Sequence, residues 1–439
     1  MFFPQKTEIK NLYDSHVHWM YTGQVHLSWN LKSISDPHQI LESPELQNHR
    51  RGDWLVGFGW DENKWNADFK IHRSFLDQKW ADQPVFLSRN DGHSSWVNTA
   101  ALKILGLWNR HDKNQDIVID QDGWPIGILK EKSHIEALKK LPDFSSQQRK
   151  DQLISAAHHF NQNGFTHIRD MTSSPQQWKM NQQLIQDQEI LLHVEHWFVC
   201  ESLQTLQQTI NQALNCKQEE NPFMKMRGIK LFVDGSLGSH TAFLSQPYPD
   251  QGSRGQMNWT EDDIADCLRI VWKNKLEVAL HTIGDECTHQ IVKMARLVYS
   301  EGIQGVLHLE HTEILRPETI QMLKPLHVRC HLQPCHWFSD SVWLESKLQN
   351  LYRFSFPWQA LEKAKVPFSF GSDSPIEQSS LVRNLQAHLQ SQKKGILGLK
   401  NDPVLYHSYP FNDSALGITT LEQDKVRSVQ LGERKIHFT

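Results

Sequence analysis

The sequence lacks the features that mark membrane-anchored and disulfide-stabilised proteins. No window contains the ~18 consecutive apolar residues that a membrane-spanning helix needs, and the first residues show no basic segment followed by an apolar one. The six cysteines include no Cys-x-x-Cys pair, so we expect reduced, buried thiols rather than a disulfide framework or a zinc knuckle. Together these absences predict a cytoplasmic protein.

The sequence also lacks an excess of either charge. Lysine and arginine total 46 against 50 aspartate and glutamate residues, which gives a formal net charge of -4. No block of like charges is long enough to act as an interaction tail, which argues against nucleic acid and membrane partners. The expected partner is therefore a small-molecule substrate, with a homodimer as a possible assembly.

What the sequence does contain is an alternation of short strand-like runs with amphipathic helical stretches. A length of 439 residues fits two or three domains, or one βα barrel with an insertion. Eight strands in this order predict a (β/α)8 barrel, an α/β fold of the TIM-barrel type. After the strand that contains His16, the predicted strands are Gly164 to Asp170, Leu192 to Val199, Ile229 to Gly235, Leu276 to Thr282, Val306 to Thr312, His327 to Gln333 and Pro367 to Asp373.

Residues 38–150 separate the first two predicted barrel strands and are far too long for an ordinary crossover. They contain their own strand-like runs, Trp54 to Trp60 and Pro84 to Asn90, and are predicted to form an inserted subdomain. Because this segment follows the first strand, it would rise from the catalytic face of the barrel, either as a lid or as a purely structural excursion. The predicted organisation is 1–37 for the start of the barrel, 38–150 for the insertion, 151–395 for the rest of the barrel and 396–439 for a C-terminal extension.

Two histidines, His16 and His18, lie one residue apart in the first barrel strand. Alternate residues of a strand point to one face, so these two imidazoles and the Asp14 carboxylate are predicted to share a face. Such a pair can hold one metal ion, although His-x-His pairs also occur on ordinary surface strands. The pair alone therefore does not distinguish a metal site from an ordinary surface strand.

Four more polar residues lie in other predicted barrel strands: His281, His311 and Asp373 at late positions, and Lys230 on the face of its strand that points into the barrel. Each has a structural alternative when taken singly, since a strand-end histidine is commonly a hydrogen-bonding residue, Asp373 could cap the next helix, and Lys230 could pair with Asp234. The carboxyl ends of barrel strands meet at one mouth, so the series predicts a metal centre there.

An ordered series of motifs runs from about Asn11 to Glu377: Asp14 to His18, Gly57 to Asp61, Pro84 to His93, Asn98 to Leu102, Lys230 to Gly235, His281 to Asp285, Glu310 with His311, and Gly371 to Pro375. This series resembles the amidohydrolase superfamily, and within it the amidohydrolase family 3 branch that includes N-substituted formamide deformylases. The resemblance implies that a carboxylated Lys230 bridges two divalent ions. It places His16 and His18 on one ion, and His281 and His311 on the other. It also implies that Asp373 binds metal and transfers the catalytic proton.

The reaction that the resemblance implies is hydrolysis of a non-peptide carbon-nitrogen bond, in an amide, an N-formyl amine or a carbamate, by a metal-bound hydroxide. Zinc is the expected metal, with two ions per chain, and the ligand types also suit Mn, Fe or Co. A mononuclear aminohydrolase is an alternative, but such deaminases place a glutamate where this chain has Gly284. A metal-binding sensor or scaffold without turnover is the third hypothesis.

Five residues outside this ligand set are candidate substrate contacts: Arg89, His93, Asp234, Asp285 and His336. The last three follow the predicted barrel strands four, five and seven, whereas Arg89 and His93 lie in the insertion. A structural role is the alternative for each of them, for example capping of the next helix by Asp285.

The two ends of the sequence depart from the resemblance. Members of the superfamily usually carry a small β-sandwich beside the barrel, built from segments before the first strand and after the last. The short segment before the first barrel strand leads us to expect a reduced or absent sandwich. Only a residual hairpin around Gly432 is predicted in the C-terminal extension.

Overall fold

The computed structural model describes residues 1–42, 49–66, 68–89, 94–109, 114, 116–249, 252–396 and 398–438. These residues form two compact units, one from Met1–Thr22 with Ala156–Thr439 and the other from Gly23–Ser155. All six cysteines are buried. None of the helices within the described ranges combines the length and the apolar character that crossing a bilayer requires.

The first unit is built around a sheet of eight parallel strands that forms a barrel, as the sequence predicts. In chain order the strands are β1 (Tyr13–Val17), β2 (His167–Ser173), β3 (His193–Val199), β4 (Met224–Phe232), β5 (Glu277–Thr282), β6 (Leu307–His311), β7 (Val328–Leu332) and β8 (Phe368–Phe370). Each strand pairs with the next one along the chain. Two backbone hydrogen bonds join the ends of the sheet: His18 N donates to the Ser374 carbonyl at 2.8 Å, and Asp373 N donates to the His16 carbonyl at 2.7 Å.

The apolar core of this unit contains residues of the barrel strands and of the helices that follow them. Ile229 of β4 and Leu268 of helix Glu261–Lys273 belong to the same buried cluster. That helix begins after Thr260, whose side chain accepts a hydrogen bond from Asp263 N, a standard way to satisfy a free amide at a helix start. The helices of the unit are Pro175–Gln186, Leu203–Lys217, Glu261–Lys273, Asp285–Ser300, Pro317–Leu323, His336–Asp340, Leu344–Leu348, Trp358–Ala364 and Leu381–Lys393, with 3-10 turns at Gln349–Phe354 and Pro403–His407.

The barrel interior contains charged and aromatic side chains as well as aliphatic ones. Arg169 on β2 donates a hydrogen bond to Glu310 on β6 at 2.7 Å, and Tyr13 on β1 donates one to Glu195 on β3 at 2.6 Å. Strands β2 and β6 are not neighbours in the sheet, and neither are β1 and β3. The two hydrogen bonds therefore cross the interior, and all four side chains point into the barrel. A buried charge is costly unless it is paired, and these pairings allow the barrel to hold ionised groups beneath its mouth.

Residues from both ends of the sequence form one antiparallel sheet of four strands: Thr7–Lys10, Gly417–Glu422, Lys425–Leu431 and Arg434–His437. The predicted hairpin around Gly432 is confirmed, and this glycine has the positive φ (60°) that tight hairpin turns favour. The pairing of Thr7–Lys10 with Gly417–Glu422 was not predicted, because a four-residue strand carries too little periodicity to be recognised.

The second unit, Gly23–Ser155, has a seven-stranded sheet of its own and begins earlier than the predicted insertion at residue 38. The predicted strands are present as Trp54–Trp60 and Val85–Arg89. The remaining strands are Trp29–Asn30, Arg50–Arg51, Ser94–Val97, Ile117–Ile119 and Pro125–Lys130, and the helices are His38–Glu42, Arg73–Trp80, Thr99–Leu105 and Glu131–Lys139. Helices Trp19–Leu27 and Ser146–Gln162 run across the two chain boundaries of this unit. That the second unit acts as a lid stays a prediction.

Candidate metal centre

The structure brings imidazoles and a carboxylate together at the carboxyl ends of the barrel strands. His16 Nε2 lies 3.3 Å and His18 Nε2 lies 2.9 Å from Asp373 Oδ1. The His311 ring centroid is 4.7 Å from that of His16 and 4.5 Å from that of His281. Five of the six predicted metal ligands therefore form one continuous cluster, in which His16, His311 and Asp373 are buried and His18 and His281 are partly buried.

A bulge in β1 decides which of its side chains face this cluster. Ile168 of β2 pairs with Asp14, but Asp170 pairs with Val17, so β1 contains one residue more than its partner between these points. The extra residue breaks the predicted alternation, and the Asp14 carboxylate accepts hydrogen bonds from the Ser372 amide and hydroxyl (2.8 and 2.7 Å) instead of facing the imidazoles. Asp14 thus ties β1 to the end of β8.

His16 is held in one orientation by charged residues beneath it. Its Nδ1 donates to Glu310 Oε2 at 2.7 Å, and the other oxygen of Glu310 accepts from Arg169 at 2.7 Å. The Arg169 guanidinium lies 4.2 Å from the Trp197 ring centroid. With the proton on Nδ1, the lone pair of Nε2 faces Asp373, as a metal-binding histidine requires.

The other imidazoles are fixed in similar ways. His18 Nδ1 lies 3.1 Å from Thr172 Oγ1, and His311 Nδ1 donates to Gln333 Oε1 at 2.9 Å. His281 Nε2 donates to the Gly235 carbonyl at 3.1 Å, which leaves its Nδ1 free to bind. Burial lowers the pKa of His16 to about 4 and of His281 to about 3, so both rings are neutral at pH 7. Neutral imidazole is the form that binds metal ions.

Asp373 is shared by two groups of potential ligands, one with His16 and His18 and the other with His311 and His336. His336 was predicted as a substrate contact, and the structure places its Nε2 3.4 Å from Asp373 Oδ2. Burial alone would raise the pKa of Asp373, but the neighbouring imidazoles, His16 foremost, lower it well below its usual range. The carboxylate is therefore ionised and can act as a ligand or as a proton acceptor.

Lys230 is fully buried, and no described residue accepts a hydrogen bond from its Nζ, which lies 4.9 Å from the centroid of the Phe232 ring. The predicted alternative, a pair with Asp234, does not form, because that carboxylate accepts hydrogen bonds from the amides of Ile283 and Gly284 at 3.0 and 2.9 Å. Burial lowers the pKa of Lys230 to about 8. A buried amine without a hydrogen-bond acceptor is energetically unfavourable unless it is modified or binds a ligand.

Two residues at the cluster have left-handed backbone conformations that non-glycine residues rarely adopt. The φ angles are 71° at His311 and 61° at Asp373. A residue with such an angle is no longer in the extended conformation of a strand. The direction of each of these two side chains therefore depends on the turn and not on strand alternation. Such strain is concentrated at functional sites in folded proteins.

The other predicted substrate contacts are engaged elsewhere. Asp285 is the first residue of its helix, accepts a hydrogen bond from Ser245 N at 3.0 Å and lies 3.2 Å from Arg316 Nε, in line with its structural alternative. Arg89 belongs to the second unit, where its Nε donates to Glu62 at 2.8 Å. His93 lies outside the described residues. Substrate binding by these residues, and by Asp234, stays a prediction.

Sequence reasoning missed the residues that position the ligands, notably Arg169, Glu310, Glu313 and Gln333. Glu313 accepts a hydrogen bond from His336 Nδ1 at 2.8 Å. A signal was present for Arg169 and Glu310, since each is a charged residue within a predicted buried strand. Such a residue needs a partner, but the sequence alone does not show which strands face each other across the barrel.

Comparison with known proteins places this geometry in a family. The model of the amidohydrolase family matches residues 12–407, which is most of the chain. The chain belongs to the amidohydrolase family. The more specific branch of the formamide deformylases stays a prediction.

Individual relatives of this amidohydrolase are distant. It is 26% identical over 385 residues to the protein YtcJ of Bacillus subtilis (strain 168), covering 85% of this chain and 71% of that protein. It is 24% identical over 400 residues to the protein LONG AFTER FAR-RED 3 of Arabidopsis thaliana, covering 87% and 68%. Among solved structures, an uncharacterized metal-dependent hydrolase from Pyrococcus furiosus superposes with a TM-score of 0.73 at 24% identity, covering 87% of this chain and 77% of that one. At this identity the likeness shows a shared fold.

Proposed function

We propose that this amidohydrolase is a metal-dependent enzyme that cleaves a non-peptide carbon-nitrogen bond in a small amide, N-formyl amine or carbamate. The observation that carries the proposal is the cluster of imidazoles around Asp373, next to a buried lysine without a hydrogen-bond partner among the described residues. Membership of the amidohydrolase family, and the metal-dependent hydrolase with the same fold, support it.

The donor set fits two divalent cations. His16, His18 and Asp373 would hold one ion, because their ligand atoms lie within 4.8 Å of one another and the two imidazole nitrogens are 3.3 and 2.9 Å from the carboxylate. His281 and His311 would hold the second. Imidazole and carboxylate donors suit zinc, our first expectation, and also Mn, Fe or Co. When bound, the ions supply Lewis acidity and activate water for attack on a carbonyl carbon.

Lys230 would link the two ions as a carbamate. Its neutral amine would attack the carbon of CO2: a new N–C bond forms as one C=O π bond breaks, one N–H proton leaves to solvent, and the resulting carboxylate carries the negative charge. This modification would replace a buried cation without a hydrogen-bond acceptor by an anion that offers two oxygen ligands. The bound ions would then stabilise that anion.

Asp373 would move the proton. One of its oxygens would accept a proton from the attacking water, and the same group would return it to the leaving nitrogen, which departs as an amine. His336 Nε2, 3.4 Å from Asp373 Oδ2, would hold the carboxylate in place during these steps. Glu313 in turn fixes the His336 ring through Nδ1.

The metal content of purified protein tests the centre. We expect about two divalent ions per chain by elemental mass spectrometry, and loss of one or both in Lys230→Ala. Lys225→Ala is the matched control, because Lys225 lies on the same strand but pairs with Glu220 at 3.6 Å. A single ion that is unaffected by the Lys230 substitution would contradict the bridged pair.

A substrate panel tests the reaction. We expect the metal-loaded enzyme to release amines from formamides, amides or carbamates, and Asp373→Asn to abolish the release while the chain stays folded. Ammonia release from nucleobases would favour the aminohydrolase alternative instead. If the metal-loaded chain released nothing from the whole panel, a binding or scaffold role without turnover would replace the proposal.

A further inference from the structure

The second unit contains a cavity of about 640 Å³. Every described residue that lines it lies within the range Gly23–Ser155, whereas all the candidate metal ligands belong to the barrel unit. Its volume is within the range of pockets that hold small organic molecules. Its lining includes Gln24, Leu27, Arg50, Arg51, Val56 and Asp151.

Arg51 is fixed in the wall of this cavity by two contacts. Its Nε donates to the Pro142 carbonyl at 2.8 Å, and its guanidinium carbon lies 4.5 Å from the centroid of the Phe144 ring. Neither contact uses the two terminal nitrogens, and within the described ranges no carboxylate forms an ion pair with Arg51. A guanidinium held in this way presents a flat pair of donors, which matches the two oxygens of a carboxylate.

The rest of the lining indicates the kind of molecule that fits. Leu27 and Val56 supply apolar wall, and Gln24 adds an amide. Among the described lining residues Asp151 is the one carboxylate, and it already accepts a hydrogen bond from Gln147 at 2.8 Å, while Arg50 adds a second positive charge. The Asp143 carboxylate lies outside the lining and also attracts Arg51, but it is 3.6 Å from Arg149, whose charge offsets it. The excess of positive charge favours an anion, and the apolar wall favours one with a hydrocarbon body over a small inorganic ion.

We propose that this cavity binds a small organic carboxylate, whose carboxylate group pairs with Arg51 and whose apolar body lies against Leu27 and Val56. The site is separate from the proposed hydrolytic centre. It gives this chain a second place for a small molecule, and its occupancy does not depend on bound metal.

Calorimetric titration of the full chain with phenylacetate tests the proposal. The titration is made on metal-loaded protein and again after chelation, because metal ions at the barrel mouth also attract carboxylates. We expect phenylacetate to bind under both conditions, and we expect 2-phenylethanol and inorganic phosphate to bind at least about tenfold more weakly. Absence of binding, or binding only when metal is present, would overturn the proposal.

Two variants locate the bound probe. Arg51→Gln should weaken phenylacetate binding by about tenfold or more, whereas Lys103→Gln, which removes an exposed charge from the same unit, should leave it within about twofold. Leu27→Trp should fill the cavity and remove binding without lowering the unfolding temperature, because Leu27 is exposed. Wild-type affinity in either Arg51→Gln or Leu27→Trp would show that the probe binds elsewhere.

Discussion

His16 and Glu310 lie on β1 and β6, on different sides of the barrel, and are joined by a hydrogen bond of 2.7 Å from Nδ1 to Oε2. The same glutamate binds Arg169, so its charge is balanced before any metal arrives. The bond directs the other ring nitrogen of His16 towards Asp373. A hydrogen bond across the barrel thereby sets the ligand geometry at the mouth.

We expect Glu310→Gln to lower metal affinity by about 10-fold to 100-fold, because a carboxylate that orients a ligating histidine typically contributes that much. Glu277→Gln is the control, since it breaks a similar carboxylate-histidine bond (2.6 Å to His308 Nε2) at the opposite end of β5. Competition with a fluorescent chelator measures both variants. An equal loss of metal affinity in the two variants would show that general destabilisation, and not the orientation of His16, causes the loss.

Gly371→Ala should damage the junction of β1 and β8. A Cβ at this position would lie 2.6 Å from His16 N, too close for the two strands to keep their spacing. We expect a loss of about 1–3 kcal/mol in the free energy of unfolding, together with a lower metal content. Gly238→Ala is the control, because the nearest atom to its added Cβ would be 4.0 Å away. Denaturant unfolding that fails to distinguish the two variants would contradict the close approach.

Glu195→Ala should cost more stability than removal of an exposed ion pair. Glu195 is buried and pairs with the part-buried Arg227, which keeps a second ion pair with Asp413 at 2.9 Å, so we expect a loss of about 1–3 kcal/mol in the free energy of unfolding. Arg269→Ala removes more exposed pairs with Asp266 and Glu301 and should cost less, because exposed ion pairs contribute little. Urea titration of both variants gives the comparison. Similar losses would mean that Asp413 compensates Arg227 fully for the missing glutamate.

Because of His196, we expect the free energy of unfolding to decrease as the pH falls below about 6.5. Burial lowers the pKa of this ring to about 3, and its nitrogens already bond Ser173 Oγ and Asn181 Nδ2. Between the two pKa values the unfolded chain binds a proton that the folded chain does not, so the free energy of unfolding decreases with falling pH. His196→Gln should reduce the slope of the free energy of unfolding against pH by the amount that corresponds to about one bound proton. Urea unfolding at several pH values measures this slope. An unchanged slope would assign the acid sensitivity to other groups.

The eight barrel strands were predictable because each is a buried run followed by a helical stretch. The meeting of His281, His311 and Asp373 at one mouth was predictable because each lies late in such a run. The bulge in β1 was not predictable, since it depends on how β1 pairs with β2. The place of His336 beside Asp373 was missed for a related reason. It follows a strand end by several residues, where the backbone path, and not strand alternation, decides the direction of a side chain.

The boundary of the second unit was also beyond sequence reasoning. The helix Trp19–Leu27 continues directly from the barrel into that unit, so no change in composition marks the division. The strand β8 also ends earlier than predicted, at Phe370 rather than Asp373, and beyond it the Ser372 amide donates to the Asp14 side chain rather than to a strand carbonyl. In each case long-range contacts override a local pattern.

The closing of β1 onto the end of β8 has a consequence for biosynthesis. Asp14 and Ser372, which fasten the two strands to each other, are 358 positions apart in the chain. The ribosome must therefore synthesise the 358 residues that follow Asp14, up to Ser372, and the one after them, before the first histidines can meet Asp373. Contacts of such long range form slowly, so metal loading should follow synthesis of the complete barrel and should not accompany it.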